Sequence, residues 1–408
     1  MKTQLEFAKQ GDVTPHLKVV AQTEGITSAS LLRHVARGEA VIMCRNDTAV
    51  GIGRGLRTKV NVNIGTSPFR IDPEEEMKKA ILAEKYGADT ITDLSMGGDI
   101  SSIRKRIFEM TTVPVTTVPI YQTAAENGID TMTAEDIIAT ITQQAEEGIS
   151  SVVLHCVTKR IVDTLKSEVR VMGVVSKGGA ITIRYMLRNQ VENPFIKHFS
   201  EILRILKEYD IVLSLGNSMR SGCIHDIMDT AQREELMLNA QLAKQAHEQD
   251  VQVIVEGVGG HVRADRIASY VRQYKSHSHA PLFVAGPLPI DIAVGHDHIA
   301  GCVGASIASG AGADYLCYIT PAEHIGLPSP EQVKEGLIAF KIAAHIGDTM
   351  KYNLVKPDKD LSVKRSLLDW RGQVEYAIDG EALLNSAPND GPCTMCGDFC
   401  ALKLMKEL

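Results

Sequence analysis

No window of the chain reaches the ~18 uninterrupted apolar residues that a membrane-spanning helix needs. The nearest approach, Ile299 to Ala313, is rich in Gly, Ala and Ser and runs into Asp314, so it reads as a close-packed barrel segment. Long runs of one charge are also missing. The formal net charge is −7 and neither sign dominates any stretch, which argues against a nucleic-acid stripe or a polybasic membrane anchor. The first residues, Met1 to Lys9, carry charge from the outset and lack the apolar core of a signal peptide. The expectation is a soluble, cytoplasmic protein. Low-complexity segments and sequence repeats do not appear. What is present is ordinary for a globular chain: 44% hydrophobic and 23% charged residues exclude wholesale disorder. At about 150 residues per domain the length gives two or three units, though one α/β barrel can absorb most of it.

Eight cysteines in a cytosolic chain are not a disulfide framework, because that compartment keeps thiols reduced. Cys44, Cys156, Cys223, Cys302 and Cys317 are scattered singly and read as small buried hydrophobes. Cys393, Cys396 and Cys400 fall within Gly391-Pro-Cys-Thr-Met-Cys-Gly-Asp-Phe-Cys-Ala, close enough to converge on one centre. A structural zinc site wants four ligands, and neither a second Cys-x2-Cys knuckle nor a later His supplies the fourth. A 4Fe-4S cluster held by three thiolates leaves one iron bare, which is what S-adenosylmethionine chemistry requires. Cluster, zinc and a metal-free group of redox thiols all remain open on spacing alone.

Short β-branched runs alternate with helical stretches, the pattern of parallel βα units. Nine runs qualify: Val60–Ile64, Asp89–Leu94, Val115–Ile120, Ser151–Cys156, Val171–Val175, Ile211–Leu215, Val251–Val255, Leu282–Ala285 and Tyr315–Ile319. Eight would close a (β/α)8 barrel, and the pattern does not say which is spare. Helix starts are marked by Asp72-Pro-Glu-Glu and Ser329-Pro-Glu-Gln, each a capping residue followed by proline. The expected organisation is an N-terminal segment over 1–58, the barrel over 59–345 and a C-terminal cluster-bearing domain over 346–408.

Barrel enzymes place their chemistry where strands end. Here those points carry Asn63, Tyr121, His155, Ser176-Lys177-Gly178-Gly179, Asn217-Ser218-Met219-Arg220, Glu256 to His261, and His324. One polar residue at a strand end is commonly a loop cap; recurrence at successive ends is what points to a site. Ser176 to Gly179 reads either as a phosphate cradle at a helix N-terminus, with Lys177 and Arg220 adding charge, or as a plain tight turn. His261 and His324 could hold a divalent metal if their rings face each other.

The segments Lys59-Val-Asn-Val-Asn-Ile-Gly, Asp89-Thr-Ile-Thr-Asp-Leu-Ser, Val118-Pro-Ile-Tyr-Gln, Asp210 to Gly216, Val251 to Gly257, Gly286-Pro-Leu and Tyr318 to Pro328 resemble the phosphomethylpyrimidine (thiamin pyrimidine) synthase family. The resemblance runs from about residue 5 to the C-terminal cysteines. It implies a radical S-adenosylmethionine enzyme acting on 5-aminoimidazole ribotide, reduced by a flavodoxin- or ferredoxin-type donor. It also implies a homodimer in which each cysteine tail serves the partner's barrel. By matching position, Asn63, Tyr121, His155, Ser176 to Gly178, Asn217 to Arg220 and Glu256 fall on substrate contacts. His261 and His324 fall on a divalent-metal site, usually zinc, and the three clustered cysteines on the 4Fe-4S ligands. Glu256, His155 and Tyr121 are the implied orienting and proton-moving groups.

Departures from the family pattern gather at the substrate. Thr92 stands where the family carries Met and Phe283 where it carries a substrate-facing Tyr. Lys177 replaces Arg, Asn217-Ser-Met-Arg replaces Asp-Gly-Leu-Arg, and three residues rather than four separate the last two cysteines. These changes suggest a paralogue, 5-hydroxybenzimidazole synthase, which makes a cobamide lower-ligand base from the same ribotide and releases formate. The phosphorylated thiamin pyrimidine is the alternative product. A non-catalytic iron–sulfur or zinc sensor is the reading from another class, disfavoured by the ring of polar strand ends.

Overall fold

The structure, a computed structural model, describes residues 2–405. Three short helices, Gln4–Gln10, Pro15–Glu24 and Ser28–Ala36, lead into a hairpin of β1 (Ala40–Arg45) and β2 (Thr48–Gly53). Then follow β3 (Lys59–Ile64), β4 (Thr90–Asp93), β5 (Val115–Thr117), β6 (Ser151–Leu154), β7 (Val212–Leu215), β8 (Val253–Glu256), β9 (Leu282–Ala285) and β10 (Tyr315–Cys317). Those eight strands close into a parallel barrel in the order β10-β3-β4-β5-β6-β7-β8-β9, with helices between them. The expected (β/α)8 architecture is what the chain adopts.

Strand alternation sorts the side chains. Along β3, Val60, Val62 and Ile64 join the core cluster between sheet and helices. Asn61 and Asn63, one step out of phase, fall on the opposite face. The Asn61 side-chain oxygen accepts from the hydroxyls of Thr90 and Thr92 at 2.9 Å each and of Tyr315 at 3.2 Å. Barrel interiors are commonly filled with branched apolar layers. A polar interior here therefore marks a barrel built to meet a ligand.

The N-terminal segment plugs the far end. Val41, Met43 and Ile52 of the hairpin pack on Val212, Ile254 and Tyr315. Each such buried side chain contributes about 1.5–3 kcal/mol. The Gln252 amide accepts from the Ile42 N–H at 2.7 Å and donates to its carbonyl at 3.0 Å. With the bottom sealed, ligand access is left to the C-terminal mouth.

One expected strand is absent: Val171–Val175 is an irregular loop and is the spare among the nine runs. The N–H groups of Val171 and Met172 donate to the Asp226 carboxylate at 2.7 and 3.0 Å, so no ladder partner is needed. Val171 is 75% exposed, which a barrel strand flanked by helices does not allow. Ser176 thus follows a loop, though it still caps a helix, Lys177–Asn189.

The described residues form two compact units, one ending at Gly347 and the other starting at Asp348. The helix Pro330–Tyr352 runs through both that boundary and the one expected at 345. The second unit contains the helices Lys356–Ser366, Trp370–Val374 and Gly380–Ser386, then the turn Gly397–Phe399 among the cysteines.

Candidate active site

At the C-terminal mouth a cavity of about 140 Å³ is lined by Asn63, Thr92, Tyr121, His155, Asn217, Arg220, Glu256 and Phe283. These come from seven of the eight βα units, so residues scattered over 221 positions meet only because the barrel closes. A larger cavity of about 380 Å³ adjoins it through Arg220 and Ala285 and is lined by His261, His324, Asp291 and Glu323.

Burial dominates the electrostatics of the smaller cavity. Glu256 accepts from the Ser214 hydroxyl at 2.8 Å, and burial pushes its carboxyl above the usual carboxylate range. Burial, with the Arg220 charge, lowers His155 to about 3, so its imidazole is neutral at physiological pH. Tyr121 is pushed up to about 12 by burial and keeps its proton. Its ring lies 4.5 Å beneath the Lys177 ammonium, a cation–π contact, and burial pulls that ammonium down from its ordinary value. His155 Nδ1 and both polar atoms of the Asn217 side chain are buried without a hydrogen-bond partner among the described residues. Buried polar groups are nearly always satisfied. Three unsatisfied atoms on residues lining one cavity mark groups waiting for a ligand.

Ser176, Lys177, Gly178, Ser218 and Met219 do not line that cavity, and their places differ. The Ser176 hydroxyl accepts from the Gly179 N–H at 3.1 Å and so caps its own helix. Gly178 lies against His155; a Cβ there would come within 2.3 Å of the imidazole, so only glycine lets helix and ring meet. Met219 is wholly buried in an apolar cluster with Val157, Ile161 and Met186, which accounts for an apolar residue in an otherwise polar loop.

Several contributors had no motif to announce them. Cys317, read as a plain buried hydrophobe, lines the cavity and receives the Asn63 amide N–H at 3.0 Å; burial lifts its thiol to about 12. Glu235 accepts the N–H groups of Ser218 and Met219 at 2.7 and 2.8 Å and braces the loop that carries Arg220. Burial raises Glu235 to about 7 from 4.5. The folded state therefore holds a proton that the unfolded chain releases between those values. Its contribution to stability is full below about pH 4.5, falls as pH rises to about 7, and is constant above. E235Q should abolish this dependence. The expected result is a thermal midpoint below wild type at pH 4.5, with the gap closing or reversing at pH 8.

His261 Nε2 and His324 Nε2 face each other at 3.3 Å. His261 Nδ1 is held by Asp291 at 2.7 Å, and His324 Nδ1 lies 3.5 Å from Asp297. Two imidazole nitrogens at about 2.0–2.1 Å from one tetrahedral ion are separated by roughly this distance. Carboxylates behind metal-binding imidazoles fix the ring and tautomer. Among the described residues, no group of three or more His, Cys, Asp or Glu side chains is arranged to hold a metal. The His pair would thus supply two ligands and leave the remaining positions open. In the second unit, Cys393 and Cys400 flank the exposed Cys396, and the Cys393 carbonyl accepts the Gly397 N–H at 3.0 Å. Gly397 adopts φ +53°, the left-handed bend that glycine permits. Three soft thiols on one turn fit a cluster in donor type and number, though their side chains do not converge here.

A family model described as the radical SAM ThiC family matches residues 3–407. A phosphomethylpyrimidine synthase of Thermoanaerobacter is 45% identical over 423 residues, covering 99% of this chain and 98% of the relative. The protein of that name from Archaeoglobus fulgidus is 44% identical, with 99% of each chain covered. Phosphomethylpyrimidine synthase 1 of Methanosphaera stadtmanae is 42% identical, covering 99% and 98%. No helix among the described residues is long and apolar enough to cross a membrane. With the family match spanning nearly the whole length and similarity this high across both units, the chain belongs to the radical SAM ThiC family.

Proposed function

We propose that the chain is a radical S-adenosylmethionine synthase that converts 5-aminoimidazole ribotide to the phosphorylated thiamin pyrimidine. The reading rests on the name shared by its full-length relatives and, in the structure, on unpartnered Asn217 and His155 beside Arg220 in one cavity. The comparisons support this product over the 5-hydroxybenzimidazole suggested by the departures.

When bound, a 4Fe-4S cluster on Cys393, Cys396 and Cys400 and its S-adenosylmethionine supply hydrogen-atom abstraction, with electrons from a flavodoxin- or ferredoxin-type donor. The barrel's own contribution is positioning and exclusion of water. Arg220 offers a planar fork, and Lys177 a point charge, to the ribotide phosphate. The neutral His155 and the Asn217 amide present donors and acceptors to the imidazole and ribose. Tyr121, protonated at working pH, donates from its hydroxyl. Glu256, raised by burial from its ordinary value, is suited to take and return a proton. His261 and His324 would hold a divalent cation such as zinc. Exposed Ile299 and Val303 on one helix and Ile342 and Ile346 on another support a homodimer.

E256Q should lower product formation by about 10²–10⁴-fold while 5′-deoxyadenosine release persists, since that step does not need the carboxylate. In the wild type, the acid limb of kcat/KM should lie above the ordinary carboxylate range, with activity rising as Glu256 loses its proton. Equal loss of both products would contradict the assigned role.

A second reading keeps the chemistry and makes 5-hydroxybenzimidazole. It is favoured by Thr92 and Phe283, which both line the cavity and carry a smaller side chain and no phenol, respectively. Anaerobic reconstitution with ribotide, S-adenosylmethionine and a reductant, followed by mass spectrometry, separates the two. A phosphorylated pyrimidine supports the proposal; a benzimidazole with formate replaces it.

A further inference from the structure

At the sealed end of the barrel, where Val253 begins the strand that ends at Glu256 in the mouth, lies a cavity of about 250 Å³. Leu5, Val35 and Val41 give it an apolar floor. Its polar side is formed by Arg37 and Lys244 with His247, His277 and His279, and its lining contains no carboxylate. In a chain of net charge −7 this is a local reversal of sign.

The surrounding acids do not cancel it. Glu39, whose carboxylate feels the Arg37 charge, is held by His34 at 2.7 Å and Arg54 at 3.0 Å. Asp250 is paired with Lys9 at 2.7 Å and Lys207 at 3.0 Å. Lys244 reaches Glu248 only at 3.9 Å, on a solvent-exposed helix face. Arg37 makes no ion pair within 4 Å among the described residues.

The rim is also preformed. His247 Nε2 bonds to the Ala36 carbonyl at 3.2 Å, and its ring packs so closely on Gly38 that a Cβ there would approach to 2.9 Å. A pocket already shaped in this way spends little ordering entropy on its ligand.

We infer that this cavity is a second binding site, taking a small organic anion that joins an apolar ring to a carboxylate or phosphate. Its volume lies below the roughly 300–1,000 Å³ of drug-sized sites, so one ring and one acid group suit it. The ring would rest on the valine–leucine floor, and the acid group would reach Arg37. The inference does not depend on the reaction proposed for the mouth.

The test is saturable binding to the full chain, measured by calorimetry with three probes: phenyl phosphate, benzoate and inorganic phosphate. Phenyl phosphate or benzoate should bind more tightly than inorganic phosphate, and whichever binds better identifies the acid group. R37Q should weaken binding at least about tenfold, and A240L, which fills the cavity from a half-buried helix position, should do the same. R220Q at the mouth should leave binding at this site unchanged. The inference is overturned if no saturable binding is seen, or if inorganic phosphate binds as well as the ringed anions. It is equally overturned if R220Q removes the binding that R37Q and A240L leave intact.

Discussion

Replacing Cys396 with Ser is expected to abolish 5′-deoxyadenosine formation and to lower the iron bound per chain. A serine hydroxyl is a poor cluster ligand beside a thiolate, and a three-thiolate site has no spare donor. Partners that merely orient a metal ligand cost about 10–100-fold when mutated. Loss of a ligand itself should therefore exceed about 100-fold in turnover. Cys44 and Cys302 give the internal comparison, since both are half-buried and line neither mouth cavity. C44S and C302S should retain iron and activity. Iron analysis and chromatography of the nucleoside measure both quantities on one preparation.

The second large effect belongs to Arg220. Its guanidinium lines both mouth cavities, donates to the Asn217 carbonyl at 3.2 Å, and acts electrostatically on Glu256, His155 and Tyr121. Truncating one partner of a buried charge pair costs about 2–5 kcal/mol. R220Q should accordingly lower kcat/KM for the ribotide by about 10²–10³-fold. A further signature separates this from simple misfolding. The Arg220 charge lowers the Glu256 pKa, so removing it should move the acid limb of the pH profile upward. A variant with unchanged kcat/KM would take Arg220 out of the substrate site.

The ease of reading these residues from sequence followed the range of the interaction that makes each one matter. The cysteine tail was legible because three thiols within eight residues stand out by spacing alone, before any tertiary contact is known. The barrel was legible because strand and helix periods alternate over most of the length. Val171–Val175 misled because β-branched composition describes a strand and an extended loop equally well. What separates them is a carboxylate 55 residues away, Asp226, that takes the Val171 N–H. Asp291 and Asp297, behind the two histidines, had no signal of their own. Asp291 lies on a loop and Asp297 opens a helix, 30 and 27 residues from the imidazoles they serve, and ordinary surface acids look the same. Glu235 was hidden in a helix where its burial, not its identity, is the informative fact. Met219 came in with its loop by matching position, and only packing shows its side chain in an apolar cluster.

The most direct measurement is electron paramagnetic resonance on anaerobically reconstituted, chemically reduced protein, recorded before and after S-adenosylmethionine is added. A reduced 4Fe-4S signal that changes on addition is expected, because the iron without a protein ligand would bind the added cofactor. A signal indifferent to S-adenosylmethionine, or zinc in place of iron at Cys393, Cys396 and Cys400, would contradict it.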